Sequence, residues 1–190
     1  MKEPLQQIAR EVVKRATTKG ATAADAFLRE DETFGVTVRK GEVEKLKEAV
    51  SRTLRLRVFL GKRVATSQTS DISPDRIDKL VDETVEMARL TSEDESGGLP
   101  DESAYSQDTP NLRLSDPEWE ELKPEQRIDL ARRAEASAFE TDPLITNSEG
   151  ASFEYERSRI ALANTLGFAG EYEGTAGYLV VVPIAESNGA

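Results

Sequence analysis

The chain has 190 residues, of which 37% are hydrophobic and 32% charged, with a formal net charge of -11 and neither cysteine nor histidine. The length suits one sizeable domain. The missing residue types exclude disulfides, thiolate nucleophiles, Cys/His zinc sites and Ser-His-Asp catalysis within this chain.

The acidic balance disfavours contact with nucleic acid or anionic membranes, which needs clustered Lys and Arg. The sequence contains neither a membrane-length apolar run nor a signal-peptide core. The expected location is therefore cytoplasmic, and a carboxylate-only site for a weakly held hard cation stays open.

Residues 4–18 predict an amphipathic helix that faces the core. Its apolar residues share one stripe at helical spacing: Leu5, Ile8, Ala9, Val12, Val13 and Ala16. Gly20 is placed to end this helix. The polar face carries charges of both signs, which favours a core helix over a membrane or partner helix.

Alternating apolar and polar residues then predict strands. The alternation runs through residues 23–30 and 34–38 and reaches a turn at Arg39-Lys40-Gly41. Residues 42–50 fit a helix or a strand, and the flanking strands favour a strand.

Residues 52–60 give the clearest strand, because Leu54, Leu56, Val58 and Leu60 share one face. Gly61-Lys62 predicts a hairpin turn, and residues 63–69 form the returning strand. Together the strands predict an antiparallel meander with one buried face.

A second helix is predicted from Ser73-Pro74, with Ser73 as its N-cap. Its inward stripe is Ile77, Leu80, Val81, Thr84, Val85, Ala88 and Leu90. Such a stripe must cover a sheet face.

Residues 92–123 predict a long surface loop, rich in Ser, Asp, Glu, Pro and Gly, with Trp119 as its anchor. A disordered linker is the alternative. A third helix then starts at Pro124 and ends before Asp142-Pro143. Its inward residues are Ile128, Ala131, Ala134 and Ala138, and its Glu/Arg pairs are expected to face water.

The stretch 147–178 predicts a strand, a glycine-punctuated turn and a second strand. Phe153, Tyr155 and Arg157 alternate with polar neighbours, and the apolar GYLVVVPI follows. The four glycines between are Gly167, Gly170, Gly174 and Gly177. They lead into a strand rather than a helix, so turn or close-packing roles are favoured over a phosphate cradle.

Other polar groups give no catalytic constellation. Residues 66–71 carry hydroxyls and a carboxylate without a base, and Asn147, Ser148 and Glu149 suit a turn. Arg55 and Arg57 suit solvated or ion-paired positions.

The order of elements predicts an α+β fold, in which an antiparallel meander sheet is covered by two or three amphipathic helices and followed by further strands. At the chain end, Asn188-Gly189 predicts a hairpin whose returning strand is missing. That pattern favours a fragment or one domain of a longer protein over an ordinary frayed terminus.

Several stretches resemble the TldD/PmbA family on its PmbA (TldE) side. The sequences NSEGA at 147–151 and RIALANTLGFAGEYEGT at 159–175 carry the resemblance, with the apolar strand that closes in IAESNG. VRKGEVEKL at 38–46 and DRIDKLVDETVEMARLT at 75–91 extend it over nearly the whole chain.

The resemblance implies the N-terminal α+β domain of the family over residues 1–190, with the strands of 144–190 leading to an absent C-terminal β domain. It implies a non-catalytic PmbA/TldE-like part of a TldD/TldE-type metalloprotease complex that acts in proteolysis and peptide maturation. The metal, expected to be zinc, belongs to an HExxxH helix of a TldD-type partner. The resemblance assigns no catalytic, cofactor-binding or metal-binding residue to this chain.

The expected partners are a TldD-type subunit and an extended peptide, with a homo-oligomer left open and no membrane or direct nucleic acid contact. We expect the meander to offer a free edge to an extended peptide, and the strands around 52–60 or 151–163 to line that channel or the subunit interface. One alternative is an active metallopeptidase whose metal site lies beyond residue 190. A second alternative is a direct modulator of DNA gyrase, the role in the older name of the family.

Overall fold

The computed structural model describes residues 4–106 and 111–186. In chain order its elements are α1 Leu5–Thr18, β1 Ala23–Arg39, β2 Glu42–Leu60, β3 Arg63–Thr69, α2 Pro74–Leu90, α3 Pro117–Glu121, α4 Pro124–Thr141, β4 Ile145–Asn164 and β5 Ala169–Ala185. None of the described helices has the length and apolar character that a membrane crossing needs.

The strands form an antiparallel sheet with the order β3-β2-β1-β4-β5. Amphipathic helices accompany this sheet, and α1 and α2 each bury one apolar stripe. The predicted α+β class is therefore confirmed.

Two predicted hairpin turns are confirmed. Lys40 and Gly41 join β1 to β2 with φ angles of 51° and 76°, as expected for a two-residue hairpin loop. Gly61-Lys62 joins β2 to β3, and the register runs from Leu60 opposite Arg63 to Leu54 opposite Thr69.

The first two strands are longer than their patterns indicate. Residues 23–30 and 34–38 belong to one strand, and residues 42–50 are the first half of β2. Every residue of 42–50 is exposed, so no burial pattern distinguishes strand from helix there. Pairing with β1 decides the conformation, as the flanking strands indicated.

The chain divides into two compact units. Unit 1 comprises Met1–Glu30, Ser51–Leu112 and Arg159–Glu173, and unit 2 comprises Asp31–Val50, Arg113–Ser158 and Gly174–Ala190. Each unit has its own buried cluster of apolar side chains.

The core of unit 1 contains the stripes of α1 and α2 together with inward residues of β1 and β2. Leu28 and Leu56 are 0% exposed, and each such burial stabilises the fold by about 1.5–3 kcal/mol. Arg15 of α1 reaches Asp78 of α2 at 2.7 Å. The stripes predicted for both helices are confirmed, except that Leu90 is 87% exposed because it ends α2.

Ser73 precedes α2 as predicted, but its side chain makes no capping hydrogen bond. The Ser73 N–H instead donates to the Asp71 carboxylate at 2.9 Å. That bond lowers the pKa of Asp71, together with a bond that involves the Ser73 side chain.

The core of unit 2 lies between α4 and the strands β1 and β4. Trp119 of α3 stacks on Phe153 at a centroid distance of 5.8 Å and on Tyr155 at 6.3 Å. The predicted anchor role of Trp119 is thus confirmed. The described part of 92–123 contains α3 and a 3-10 turn at Glu102–Ala104.

The glycine-rich stretch differs from the prediction in one respect. Its turn is short and contains Gly167 at φ 88°, whereas Gly170, Gly174 and Gly177 lie inside β5. The close-packing role is confirmed at Gly177, where a Cβ atom would be 2.3 Å from Cζ3 of Trp119.

Asn147, Ser148 and Glu149 lie inside β4, so the turn predicted for them is wrong. Gly150, which suggested a turn, instead takes a φ of 112° inside this strand. The hairpin predicted at Asn188-Gly189 lies outside the described residues.

Candidate functional site

The strands expected to line the peptide channel or the subunit interface are interior strands of the sheet. Residues 52–60 lie in β2, which has β1 on one side and β3 on the other, and residues 151–163 lie between β1 and β5. A free edge at residues 54–60 or 151–163 is therefore ruled out, because alternation within a strand does not report its place in a sheet, whereas a role of these strands in lining a peptide channel or the subunit interface stays a prediction. In the described sheet, β3 and β5 are the outer strands, and β2 has a further free edge over residues 42–53, which extend beyond β3.

Unit 2 presents one face of its strands away from α3 and α4. We call this surface the open face. It is formed by Thr33, Gly35, Thr37, Lys45, Lys47, Glu154, Glu156, Ala176 and Tyr178. They line a cleft of about 350 Å³. The floor of the cleft is formed by small residues, since Gly35 has no side chain and those of Thr33 and Thr37 are short.

Charges of opposite sign face each other across this cleft. Lys45 and Lys47 stand on β2, and they have no ion pair among the residues that the structure describes. Glu154 stands on β4 and accepts a hydrogen bond from the Tyr178 hydroxyl, which raises the pKa of Tyr178. The open face can therefore bind an anionic group of a ligand through Lys45 and Lys47 and a cationic group of the same ligand through Glu154.

The edge strand β5 adds an apolar strip to the open face. Tyr178, Val180 and Val182 are 51%, 46% and 44% exposed. Residues 174–185 carry no charge. An exposed, uncharged edge strand is a template for pairing with another strand.

A second cleft lies on the opposite, helix-side face of the strands of unit 2. We call it the arginine pocket, and it has a volume of about 290 Å³ and is lined by Glu32, Thr33, Phe34, Glu48, Ala49, Val50, Glu120, Arg127, Tyr155 and Arg157. The Arg127 guanidinium lies 5.0 Å from the Phe34 ring centroid and 4.5 Å from that of Tyr155. Burial raises the pKa of Tyr155, and the charge of Glu120 adds to this effect.

A buried carboxylate fixes the β1–β2 hairpin from which the open face starts. Glu135 of α4 is 1% exposed and accepts backbone hydrogen bonds from Lys40 and Gly41, both at 2.9 Å. The Ser148 hydroxyl donates to the same carboxylate. The Arg132 side chain donates to the Gly41 carbonyl at 2.9 Å.

The environment of Glu135 favours the ionised form. Burial alone would raise its pKa, but the hydrogen bonds from Ser148, Gly41 and Lys40 outweigh that effect, and the charge of Arg39 adds to them. The pKa therefore lies below the ordinary value. The prediction that the Glu/Arg pairs of this helix face water is wrong at Glu135.

The remaining polar residues singled out in the sequence have structural roles. Arg57 pairs with Asp25, and Arg55 lies over the Phe27 ring at 5.0 Å. The segment 66–71 contains the end of β3 and the Asp71 carboxylate that accepts the Ser73 N–H.

The described residues can be compared with the ligand sets that metal ions require. Histidine and cysteine are absent from the sequence, and residues 4–106 and 111–186 contain no group of three or more acidic side chains placed to hold one. No step of a metal-dependent hydrolysis follows from these side chains.

The sequence matches two family models in consecutive order. Residues 24–88 match PmbA/TldA metallopeptidase domain 1, and residues 117–190 match the PmbA/TldA metallopeptidase central domain. The single-domain organisation inferred from the sequence stays a prediction.

Proteins of similar sequence and solved structures of similar fold support the same family. Metalloprotease PmbA of Escherichia coli O157:H7 is 33% identical over 190 residues, which are 98% of this chain and 42% of the relative. A Bacteroides thetaiotaomicron crystal structure that bears the name of a DNA gyrase modulator superposes with a TM-score of 0.85 at 22% identity, over 97% of this chain and 42% of that one. TldE from Thermococcus kodakarensis gives a TM-score of 0.82 at 16% identity, over 96% and 40%.

The fold and the matched models define an α+β protein of the metallopeptidase-related class. The chain belongs to the PmbA/TldD family. It spans about two fifths of the length of the relatives that it matches.

Proposed function

We propose that this chain is the part of a non-catalytic PmbA/TldE-like subunit that holds an extended peptide for a TldD-type metalloprotease partner. The partner supplies the metal, and the complex acts in proteolysis and peptide maturation. The observation that carries the proposal is the exposed edge strand β5, which is uncharged over residues 174–185 and lies beside the open face.

An extended peptide adds to such an edge through main-chain hydrogen bonds, while surface clefts select alternate side chains. Pro183 indicates which groups of β5 face outward. Proline cannot donate to a ladder, so its nitrogen faces away from β4, and period-2 geometry places the N–H groups of residues 179 and 181 on the same outward side. These N–H groups are available to a peptide.

The name of the Escherichia coli relative supports a second candidate, a metallopeptidase whose metal site lies beyond residue 190. The name of the Bacteroides structure suggests gyrase modulation. The net charge of -11 disfavours a gyrase modulator that acts by binding DNA.

The experiment replaces one outward N–H of β5 in the complex with a TldD-type subunit. Leu179→Pro removes that donor, and Leu179→Val keeps it with a side chain that also suits a strand. We expect Leu179→Pro to weaken binding of an unstructured peptide by about tenfold, which is the loss of about 1.4 kcal/mol. Leu179→Val should bind as the wild type does.

Metal analysis and peptide cleavage complete the test. We expect the metal to remain with the partner and the chain alone to be inactive. If the purified chain binds metal stoichiometrically and cleaves peptides, the proposal is wrong and a carboxylate-only metal site lies within residues 1–190. Unchanged peptide binding by a folded Leu179→Pro variant would also contradict it.

A further inference from the structure

The arginine pocket contains a guanidinium, that of Arg127, which makes no ion pair among the described residues. Arg127 donates through Nη2 to the Trp119 carbonyl at 3.2 Å, and its buried Nε has no hydrogen-bond partner among the described residues. Within the same part of the chain, no carboxylate lies within ion-pair distance of Arg127. The chain has 36 acidic residues against 25 basic ones, so a shortage of carboxylates does not explain why Arg127 lacks an ion pair.

The position of Arg127 is fixed without an anion. The rings of Phe34 and Tyr155 lie 5.0 Å and 4.5 Å from the guanidinium carbon, and such contacts stabilise a cation through the negative faces of the rings. Arg127 also lies in the first turn of α4, where the helix dipole favours a negative charge nearby. A preorganised guanidinium loses little entropy when it binds a carboxylate in bidentate fashion.

The other walls of the pocket define the ligand further. Glu32, Glu48 and Glu120 line the same cavity as Arg127 and Arg157. Arg157 lies 3.6 Å from Glu120 and 4.0 Å from Glu32, so those two glutamates form ion pairs with Arg157 rather than with Arg127. Three carboxylates around the cavity repel a dianion such as phosphate more strongly than a singly charged carboxylate, which can be seated on Arg127.

We propose that the arginine pocket binds a single carboxylate of the peptide substrate, with Arg127 as the group that receives it. The apolar atoms of Phe34, Ala49 and Val50 accept the side chain beside that carboxylate. The volume of about 290 Å³ is at the small end of ligand sites and suits one residue of a peptide. This inference rests on the proposed function, since a peptide is the ligand that function supplies.

The carboxylate can come from a peptide C-terminus or from an acidic side chain. Three acetylated alanine tripeptide probes distinguish them: one with a free C-terminus, its C-terminal amide, and the amide with one Ala replaced by Glu. Inorganic phosphate serves as the dianion probe. Binding to the chain alone is measured by titration calorimetry and by the fluorescence of Trp119, the one tryptophan in the sequence.

We expect at least one carboxylate-bearing probe to bind about 10- to 100-fold more tightly than the neutral amide, as the loss of a charged hydrogen bond predicts. Arg127→Met should abolish the difference, and Arg127→Lys should reduce it. Arg133→Met, on the exposed face of the same helix, should leave it unchanged.

Glu48→Gln keeps the test decisive even if Arg127→Met does not fold. Glu48 is exposed, and removal of its charge should tighten carboxylate binding severalfold while leaving the fold intact. Equal binding of acid and amide probes, or tighter binding of phosphate, would overturn the inference. Because the partner subunit is absent from this assay, its outcome is separate from that of the Leu179→Pro test.

Discussion

Gly177 of β5 lies directly against the indole ring of Trp119, so that a Cβ atom at residue 177 would be 2.3 Å from Cζ3 of the ring. It would also be 2.7 Å from the Glu154 carbonyl oxygen. The glycine therefore allows the edge strand to approach β4 and lets α3 pack its tryptophan on the sheet.

Gly177→Ala should consequently destabilise unit 2. The added methyl group must displace the indole or separate β5 from β4, and overpacking of this kind costs about 1–3 kcal/mol. Urea unfolding followed by Trp119 fluorescence measures the effect, and the emission of the folded state should also shift. Gly174→Ala is the matched control, because its Cβ atom would meet Leu114 atoms no closer than 3.5 Å. Equal stability of the two variants would contradict the packing argument.

The cores of both units were predictable because they rest on local periodicity. The stripe of α1 and the face of Leu54, Leu56 and Val58 follow from spacing alone, and these residues are buried as predicted. The place of each strand in the sheet was not predictable in the same way. Residues 54–60 and 151–163 alternate as edge strands do, but pairing partners distant in sequence make them interior.

Hydrophobic periodicity alone did not predict the polar sites. Glu135 follows Ala131 by four residues and so shares the inward face of α4, which is a signal that spacing could have given. Its partners, the N–H groups of Lys40 and Gly41, lie more than 90 residues away. Arg127 has no comparable signal, because its role depends on the rings of Phe34 and Tyr155, which only the fold brings to it.

Glu135→Gln should lower the free energy of unfolding by about 1.5–3 kcal/mol, the usual contribution of a hydrogen bond to a charged group. The NH2 group that replaces one carboxylate oxygen cannot accept a hydrogen bond from a backbone N–H. Glu140→Gln, at an exposed position of the same helix, is the control and should change stability by no more than about 0.5 kcal/mol. Chemical denaturation of both variants at neutral pH makes the comparison, and a loss shared by both would contradict the assigned role.

The stabilisation by Glu135 should depend on pH. Its folded-state pKa lies below its ordinary value, which is about 4.3 in an unfolded chain. The ionised carboxylate therefore stabilises the fold fully above the unfolded pKa, and this contribution is lost as the pH falls through the folded pKa. The difference in unfolding free energy between wild type and Glu135→Gln should be largest at pH 7 and shrink towards pH 3. A difference that stays constant over this range would show that ionisation of Glu135 does not contribute.

Arg159 of unit 1 should be more important for stability than exposed arginines of the chain. Its side chain is 14% exposed and lies 2.9 Å from Glu171, 3.5 Å from Glu30 and 3.7 Å from Glu173. Arg159→Met leaves these carboxylates close together without their shared cation, at a cost of about 3 kcal/mol. Arg133→Met, whose ion pair with Asp129 is exposed, should cost less than about 1 kcal/mol. Thermal unfolding should rank the two variants in that order, and similar losses would contradict it.

The charged first half of β2 should keep its open edge from pairing with other chains. β3 covers β2 only from Leu54 to Leu60, so residues 42–53 extend beyond it, and Lys45 and Lys47 alternate there with exposed Leu46. Edge lysines of this kind oppose strand addition because pairing brings like charges together or buries them.

Lys45→Val together with Lys47→Val should convert this edge into an aggregation-prone strand. The two substitutions place valines on both sides of Leu46, and the resulting segment 43–47 combines high β-propensity with low charge at a sheet edge. Light scattering and size-exclusion chromatography at rising protein concentration should then show self-association. Lys14→Val with Lys79→Val changes the net charge equally on α1 and α2 and should leave the chain as soluble as the wild type. If both pairs aggregate alike, net charge rather than protection of the β2 edge is responsible.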